Sequence, residues 1–299
     1  MYDKLKYRIE GLLKILLQSK SVKIAASKVS NELLVLGNGP SLKTDYQALL
    51  GFAEGKDVLG VNYFAVTHEF MEVKPRYHVI TSLQYWNKDE NQSWDNDRKK
   101  VFESLIERVS WELHLFVPVQ ARKSVKWIEF MSKNPLIKIN YFNVTPLDGD
   151  PKFFKRYISK FKALPRPHNV LVPSLIIGIN LKYNKIYLAG AEHSWIPEIF
   201  VTKDNVPMVA QKHFYHDQFK DLNSTLLLDN AKPFYRENSL EHKKLHEILQ
   251  KFYYTFKSYW FIKEFASFTN TEIINLTEGS YIDAFEKKTI HEITAEKTS

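Results

Sequence analysis

Gly37-Asn38-Gly39-Pro40-Ser41 follows directly on the apolar run Leu33-Leu34-Val35-Leu36, in a chain with only 10 glycines. Glycine lets a backbone turn tightly and approach a ligand with no Cβ in the way. Pro40 suits a first helical turn and Ser41 can cap it; N–H groups opening a helix there would favour a phosphate. The stretch is neither the Walker lysine motif nor the dinucleotide GxGxxG. Asn62 ends a second apolar run and Thr81-Ser82 a third, so their side chains could reach the same ligand. Glu192-His193 follows Lys185-Ile186-Tyr187-Leu188-Ala189, which puts a carboxylate and an imidazole at a strand's carboxyl end. Open α/β sheets bind their ligands at that end.

His213 and His216 stand in Gln211-Lys212-His213-Phe214-Tyr215-His216-Asp217. An imidazole with a pKa near 6.5 suits a general base, and His213, beside Lys212, ranks first. Arg166, in the stiff loop Pro165-Arg166-Pro167-His168-Asn169, could grip a carboxylate or phosphate. Ser174 could bond phosphate or sugar, although a serine after Pro173 equally suits helix initiation. Two adjacent candidate ligands at 192–193 with no spaced third and fourth make a poor metal site. No metal ligand is therefore assigned and no cofactor is expected, with Mg²⁺ the one ion left open.

Folding must gather these scattered residues. From Glu32 onward, apolar runs at 33–36, 57–61, 77–80, 111–117 and 137–142 alternate with helical stretches at 97–109 and 122–133. A helix from Pro173 to about Tyr183 then feeds the strand 185–189. This rhythm predicts an α/β fold, doubly wound, with a mainly parallel sheet. Residues 84–98 read as an exposed polar loop, and 191–239, with little periodicity, as a long lid. A long C-terminal helix from about Leu240 to Phe268 carries an aromatic stripe that reads as core. A strand at 272–275, a helical turn near 282–285 and a frayed tail follow. The expected organisation is an N-terminal amphipathic helical segment (1–30), one α/β domain including the lid (31–285) and a charged tail (286–299).

With 44% apolar and 14% aromatic residues against 25% charged, the chain is globular rather than disordered. It has no cysteine, which excludes a disulfide scaffold, a zinc ribbon, an iron–sulfur cluster and a thiol nucleophile, and is compatible with the cytosol. A net charge of +8 favours an anionic partner: a nucleotide, an acidic glycan or an anionic membrane. No basic–aromatic stripe or known module points to nucleic acid. No apolar run is long enough to cross a bilayer, and the N-terminus does not read as a secretory signal. Leu5, Ile9, Leu12, Leu13, Ile15 and Leu16 interleave with lysines as a basic amphipathic helix. It reads either as a helix laid on the domain or as a membrane-surface anchor.

GNGPSL at 37–42 after a first strand, with a second strand ending in Asn62, resembles the bacterial lipooligosaccharide sialyltransferases. Tyr183 to Glu192 (YNKIYLAGAE) resembles that family's segment ending in SGID, and the similarity spans roughly 32–220, concentrated at these islands. The resemblance implies a Rossmann-like, GT-A-like single domain. It also implies that Asn38 and Asn62 hold the cytidine nucleotide of CMP-sialic acid, with a catalytic histidine in a mobile loop. Where the family has two tyrosines for the departing phosphate, this sequence has Ser194 and Phe200, with His193 and Trp195 nearby. Kdo or another nonulosonic acid would need the same nucleotide site.

These readings converge on a glycosyltransferase moving an acidic sugar from a CMP-activated donor to a glycan or glycolipid acceptor. It would work in the cytoplasm, at the inner membrane face if the N-terminal helix makes a peripheral contact, building lipopolysaccharide or capsule. His213, His193 and Glu192 are the expected catalytic groups. Gly37, Asn38, Gly39, Pro40, Ser41, Asn62, Thr81, Ser82, Arg166 and Ser174 are the expected binding groups. Archaeal-type pterin diphosphokinase-like proteins share a glycine–proline–serine turn and a late strand ending in glycine and an acid. An ATP-dependent diphosphokinase and a non-enzymatic nucleotide-binding module are therefore the alternatives. Oligomeric state is not legible.

Overall fold

A computed structural model describes residues 2–86, 96–210, 214, 231–236 and 239–298. The chain opens with α1 (Tyr2–Gln18) and an extended stretch. Strands and helices then alternate: β1 (Glu32–Leu36), α2 (Ser41–Thr44), α3 (Tyr46–Ala53), β2 (Asp57–Val61), α4 (Glu69–Val73), β3 (Tyr77–Val79) and α5 (Asn96–Arg108). Next come β4 (Leu113–Pro118), α6 (Val125–Met131) and β5 (Ile137–Phe142). A short parallel pair, β6 (Pro146–Leu147) and β7 (Leu164–Pro165), brackets α7 (Pro151–Ile158). After α8 (Leu171–Asn180) and β8 (Lys185–Ala189), the strands β9 (Ile199–Val201), β10 (Pro207–Ala210) and β11 (Ala231–Pro233) form a small antiparallel sheet. The chain ends with α9 (Leu245–Ser267), β12 (Glu272–Asn275), β13 (Glu286–Lys287) and α10 (Ile290–Thr298).

The main sheet has eight strands in the order β13-β12-β8-β1-β2-β3-β4-β5, and every pairing is parallel. Side chains alternate between its faces. Leu33 and Val35 enter one core layer, with α8, α9, α7 and the inner side of α1. Leu34 and Leu36 enter the other, with α3, α5, α6 and α10. Both faces are covered, so β1, β2 and β4 read as nearly continuous apolar runs, with buried Asp57, His78 and His114 the polar exceptions in the central strands. This is the doubly wound, Rossmann-like α/β fold that the alternation predicts.

Winding runs outward from β1 through β2 to β5, then returns to the other side of β1 with β8, β12 and β13. The order reverses between β1 and β8, and the crevice outside their carboxyl ends is where a ligand belongs.

Several expectations need correction. The tail beyond Glu286 is not frayed: β13 pairs with β12, and Ile293 of α10 is buried. The helical turn expected at 282–285 is irregular chain, though Ile282, Ala284 and Phe285 pack in the core. Trp86, assigned to an exposed loop, is buried edge-on against Trp127. Part of the aperiodic lid is the β9–β11 sheet. Among the described residues no helix is long and apolar enough to cross a membrane.

Candidate functional site

At the reversal of strand order, glycines allow two backbones to touch. Gly37 N–H donates to Ala189 O at 2.8 Å and Gly39 N–H to Gly190 O at 2.9 Å. A Cβ on Gly37 would strike the Gly190 carbonyl, and one on Gly39 would overlap the Glu192 carboxylate. Gly190 itself sits at φ +66, a conformation that glycine adopts without strain. These contacts draw the turns after β1 and β8 into one wall.

The expected phosphate position at Ser41 is already filled. Glu192 Oε1 accepts Ser41 N–H at 2.5 Å, and α2 is a single turn of 4 residues. The backbone donor that would have held a phosphate instead holds a carboxylate belonging to the protein. Pro40 occupies the N-cap and has no side-chain acceptor to offer, so the distant Glu192 carboxylate meets the Ser41 N–H in its place.

The resulting cleft, of about 280 Å³, is lined by Gly37, Asn38, Gly39, Pro40, Asn62, Glu192 and His193, joined by Asn169, Trp195 and Lys251. Asn38 Nδ2 donates to Val61 O at 3.3 Å, while Asn38 Oδ1 is buried with no partner among the described residues. Asn62 is held left-handed at φ +47, and its carbonyl is bonded by His78 Nε2 at 2.9 Å. Its Oδ1 is also buried with no partner among the described residues, as is Glu192 Oε2. A buried acceptor with nothing to accept costs about 1–3 kcal/mol, so such a cluster is expensive unless a ligand supplies donors.

His193 stands in the opposite wall, again left-handed at φ +52. Its ring stacks on Trp195 at 4.1 Å between centroids. Nε2 lies 2.5 Å from the Tyr259 hydroxyl and 2.8 Å from Asn169 Nδ2, and Asn169 Nδ2 also donates to the Tyr259 oxygen at 2.8 Å. These donors make Nε2 an acceptor and place the ring proton on Nδ1. Burial pushes the imidazole pKa down to about 3, so the ring is neutral. Asn169 Oδ1 meanwhile accepts Leu171 N–H at 2.7 Å, tying this wall to the start of α8.

The third wall comes from α9. Lys251 is half-buried, its ammonium 4.5 Å from the Phe234 ring, and among the described residues no carboxylate pairs with it. Burial and then the charge of Lys243 lower its pKa. Next to it, the His168 ring edge is exposed, but desolvation and the charges of Lys251, Arg166 and Lys243 bring its pKa down to about 4. Around His168 these cations outweigh Asp148, although Glu192 and Glu198 line the same cleft, so an anion would be favoured on the Lys251 side.

Other expected site residues lie elsewhere. Arg166 grips Asp148 through Nε and Nη2 at 2.6–3.0 Å and lies over the Tyr254 ring at 4.2 Å. It lines a more open groove of about 520 Å³ beside α9, not the cleft. Ser174 is wholly buried in α8 and donates its hydroxyl to Val170 O at 2.8 Å. Thr81 and Ser82 follow β3 outside the cleft lining, Thr81 Oγ1 being buried with no partner among the described residues. His213 and His216 lie outside the described residues. Between them, Phe214 is anchored: its N–H donates to Asn38 O at 3.1 Å and its ring packs 6.1 Å from Phe64. Among the described residues no group of three or more histidine or acidic side chains could hold a metal ion.

Sequence reading missed Asn169, Tyr259 and Lys251. Tyr259 and Lys251 belong to a helix whose aromatic stripe reads as core, and nothing local marks the turn of that helix facing the cleft.

No family model matches this chain, and no curated protein does. Among solved structures, it is similar to the MAf glycosyltransferase from Magnetospirillum magneticum AMB-1, with a TM-score of 0.44 and 8% identity over 98% of this chain. The alignment covers 40% of that protein, so the chain spans about two fifths of its length. A likeness of this size assigns neither donor nor acceptor.

Proposed function

We propose that the chain is a glycosyltransferase that moves an acidic sugar (sialic acid, Kdo or a related nonulosonic acid) from a CMP-activated donor to a glycan or glycolipid acceptor. One observation carries this reading. Three buried acceptor oxygens that find no partner among the described residues, on Asn38, Asn62 and Glu192, share a cleft with the ammonium of Lys251, which no described carboxylate pairs with. The complementary ligand offers hydroxyl and amino donors on one side and negative charge on the other. A nucleotide-activated acidic sugar has both. The cytidylate form of the donor rests on the resemblance of residues 37–42 to the sialyltransferases.

In the reaction, an acceptor hydroxyl forms a C–O bond to the anomeric carbon while the bond from that carbon to the phosphate oxygen breaks. CMP leaves with the electron pair. Asn38 and Asn62 accept from base or ribose, Glu192 Oε2 accepts a donor hydroxyl, and Lys251 faces the phosphate or the sugar carboxylate. His193 acts as a positioning residue rather than a proton carrier, because its Nε2 is already occupied and its ring is neutral. The acceptor's proton goes to His213, which directly precedes the Phe214 anchored on the Asn38 carbonyl.

A thermal-shift panel of CMP, CDP, UDP, GDP and ATP, each with and without Mg²⁺, tests the site, since a ligand of the folded form raises the midpoint with its affinity. CMP is expected to give the largest rise. CMP release from CMP-sialic acid or CMP-Kdo then reads turnover, which His213→Ala should lower about 10²–10⁴-fold with CMP affinity unchanged. A panel led by ATP with Mg²⁺ would move the assignment to a diphosphokinase. No shift with any nucleotide would end it.

A further inference from the structure

The helix α1 is pinned to the domain by one side only. Ile15 is buried, Gly11 is pressed against the Phe154 ring, and Arg8 pairs with Asp150 at 3.1 Å while lying over Phe153 at 4.5 Å. The opposite side is apolar and uncovered. Leu5, Ile9, Leu13, Leu16 and Leu17 recur at helical spacing and are between 51% and 78% exposed. A single exposed leucine means little, but a stripe along a whole helix is an interaction surface. None of these residues lines the cleft.

Charge decides what covers the stripe. Lys4, Lys6 and Lys20 are exposed along α1 and just beyond it, and Glu10 is spanned by Lys6 at 4.0 Å. The neighbouring α7 adds exposed Lys152, Lys155 and Arg156. A second copy docked about a twofold axis would bring these lysines against themselves, which like-charge repulsion opposes. A nucleic acid would need flat rings to stack on, and the stripe is aliphatic. An apolar face edged by lysines matches a membrane interface, where leucines enter the acyl boundary and ammonium groups meet anionic headgroups.

We propose that the outer face of α1 docks the protein on an anionic lipid surface, lying in the interface plane without spanning it. The proposal does not depend on the reaction assigned to the cleft. A glycolipid acceptor would then be met at the surface where it resides.

Cosedimentation with vesicles tests it. The protein should bind vesicles of equimolar phosphatidylcholine and phosphatidylglycerol, bind phosphatidylcholine alone far more weakly, and be released by raised salt. Leu13→Gln/Leu16→Gln/Leu17→Gln should lower the partition coefficient about tenfold or more, because each leucine loses its burial in lipid. Its melting temperature and nucleotide response should match the parent's. The single variant Leu16→Gln, at the most exposed position of the stripe, should show a smaller loss in the same direction. A parent that stays in the supernatant with anionic vesicles would overturn the proposal. So would a triple variant that binds like the parent, or a parent dimer in light scattering that the triple variant dissolves without any vesicle binding.

Discussion

The two ends of the main sheet treat buried polar groups in opposite ways. At the amino end, Asp57 Oδ2 accepts Val29 N–H at 2.8 Å and Ser30 N–H at 3.1 Å, and also the Tyr183 hydroxyl. The Tyr77 hydroxyl lies 2.8 Å from both Tyr183 and the Ser27 carbonyl. Close by, Asn140 Oδ1 accepts Ala25 N–H at 2.8 Å and Ala26 N–H at 3.2 Å. The extended stretch before β1 is thus sewn to the sheet by side chains whose acceptors are used. At the carboxyl end, oxygens of Asn38, Asn62 and Glu192 are buried with nothing to accept among the described residues, and Asn62 and His193 hold left-handed backbones. The same residue types, asparagine and a carboxylate, serve structure at one end and are held ready for a ligand at the other. Partner satisfaction, not burial, separates the two roles.

If so, substitutions at the two ends should separate stability from affinity. The largest effect is expected at Asp57. Asp57→Ala strips the acceptor from two backbone N–H groups and the Tyr183 hydroxyl, so urea unfolding should show a loss of about 3 kcal/mol. CMP affinity of the folded protein should stay within about twofold of the parent's, a range worth less than half a kcal/mol. A loss below about 1 kcal/mol, within the net worth of one ordinary hydrogen bond, would mean that the amino-end network is dispensable.

Lys251→Ala is the mirror case. Removing a half-buried ammonium that no described carboxylate pairs with costs the fold little, whereas a bound phosphate or carboxylate loses a charge-assisted partner worth about 1.5–3 kcal/mol. Calorimetry should show CMP or CMP-sugar binding weakened roughly tenfold to a hundredfold, with the unfolding midpoint unchanged. Unaltered affinity would remove Lys251 from the binding site and with it the positive wall.

Most of this architecture was legible in the sequence. The runs that became β1, β2, β4 and β8 are largely apolar because both faces of the sheet are covered there, and the glycine-bounded turn at Asn38 marks the crevice. What was not legible depends on distant partners. Arg166 in its stiff loop looks free until Asp148 is seen gripping it. Ser41 looks like a phosphate cap until Glu192 is seen in that position. Trp86 sits in a polar stretch, and only packing on Trp127 reveals it as core. Tyr259 belongs to a stripe read as core, of which Ile248, Phe252, Tyr259 and Phe265 are buried while Leu245, Leu249 and Trp260 are exposed; its hydroxyl orients His193, a role that hydrophobic periodicity cannot signal.

The smallest effect concerns pH and falls mainly on the cleft end. Burial holds His193 at a pKa of about 3 and His78, which supports Asn62, at about 4. In the unfolded chain both return to about 6.5. As pH falls through 6.5 the unfolded chain takes up protons that the folded protein refuses. The stability present above pH 6.5 is then lost as pH falls toward the folded values, and each ring contributes about 1.4 kcal/mol per pH unit. Between pH 6.5 and 5 the carboxylates are still ionised, so the slope there belongs chiefly to buried imidazoles. His193→Gln keeps an acceptor for the Tyr259 hydroxyl and removes one of these titrations, leaving those of His78 and His168, so the slope of unfolding free energy against pH should fall by about 1.4 kcal/mol per unit even if the absolute stability also changes. A slope unchanged by the substitution would show that His193 is solvated in the folded protein. The Tyr259–Asn169 wall would then be looser than its hydrogen bonds imply, and the cleft would lose the rigidity that sets it apart from an ordinary surface depression.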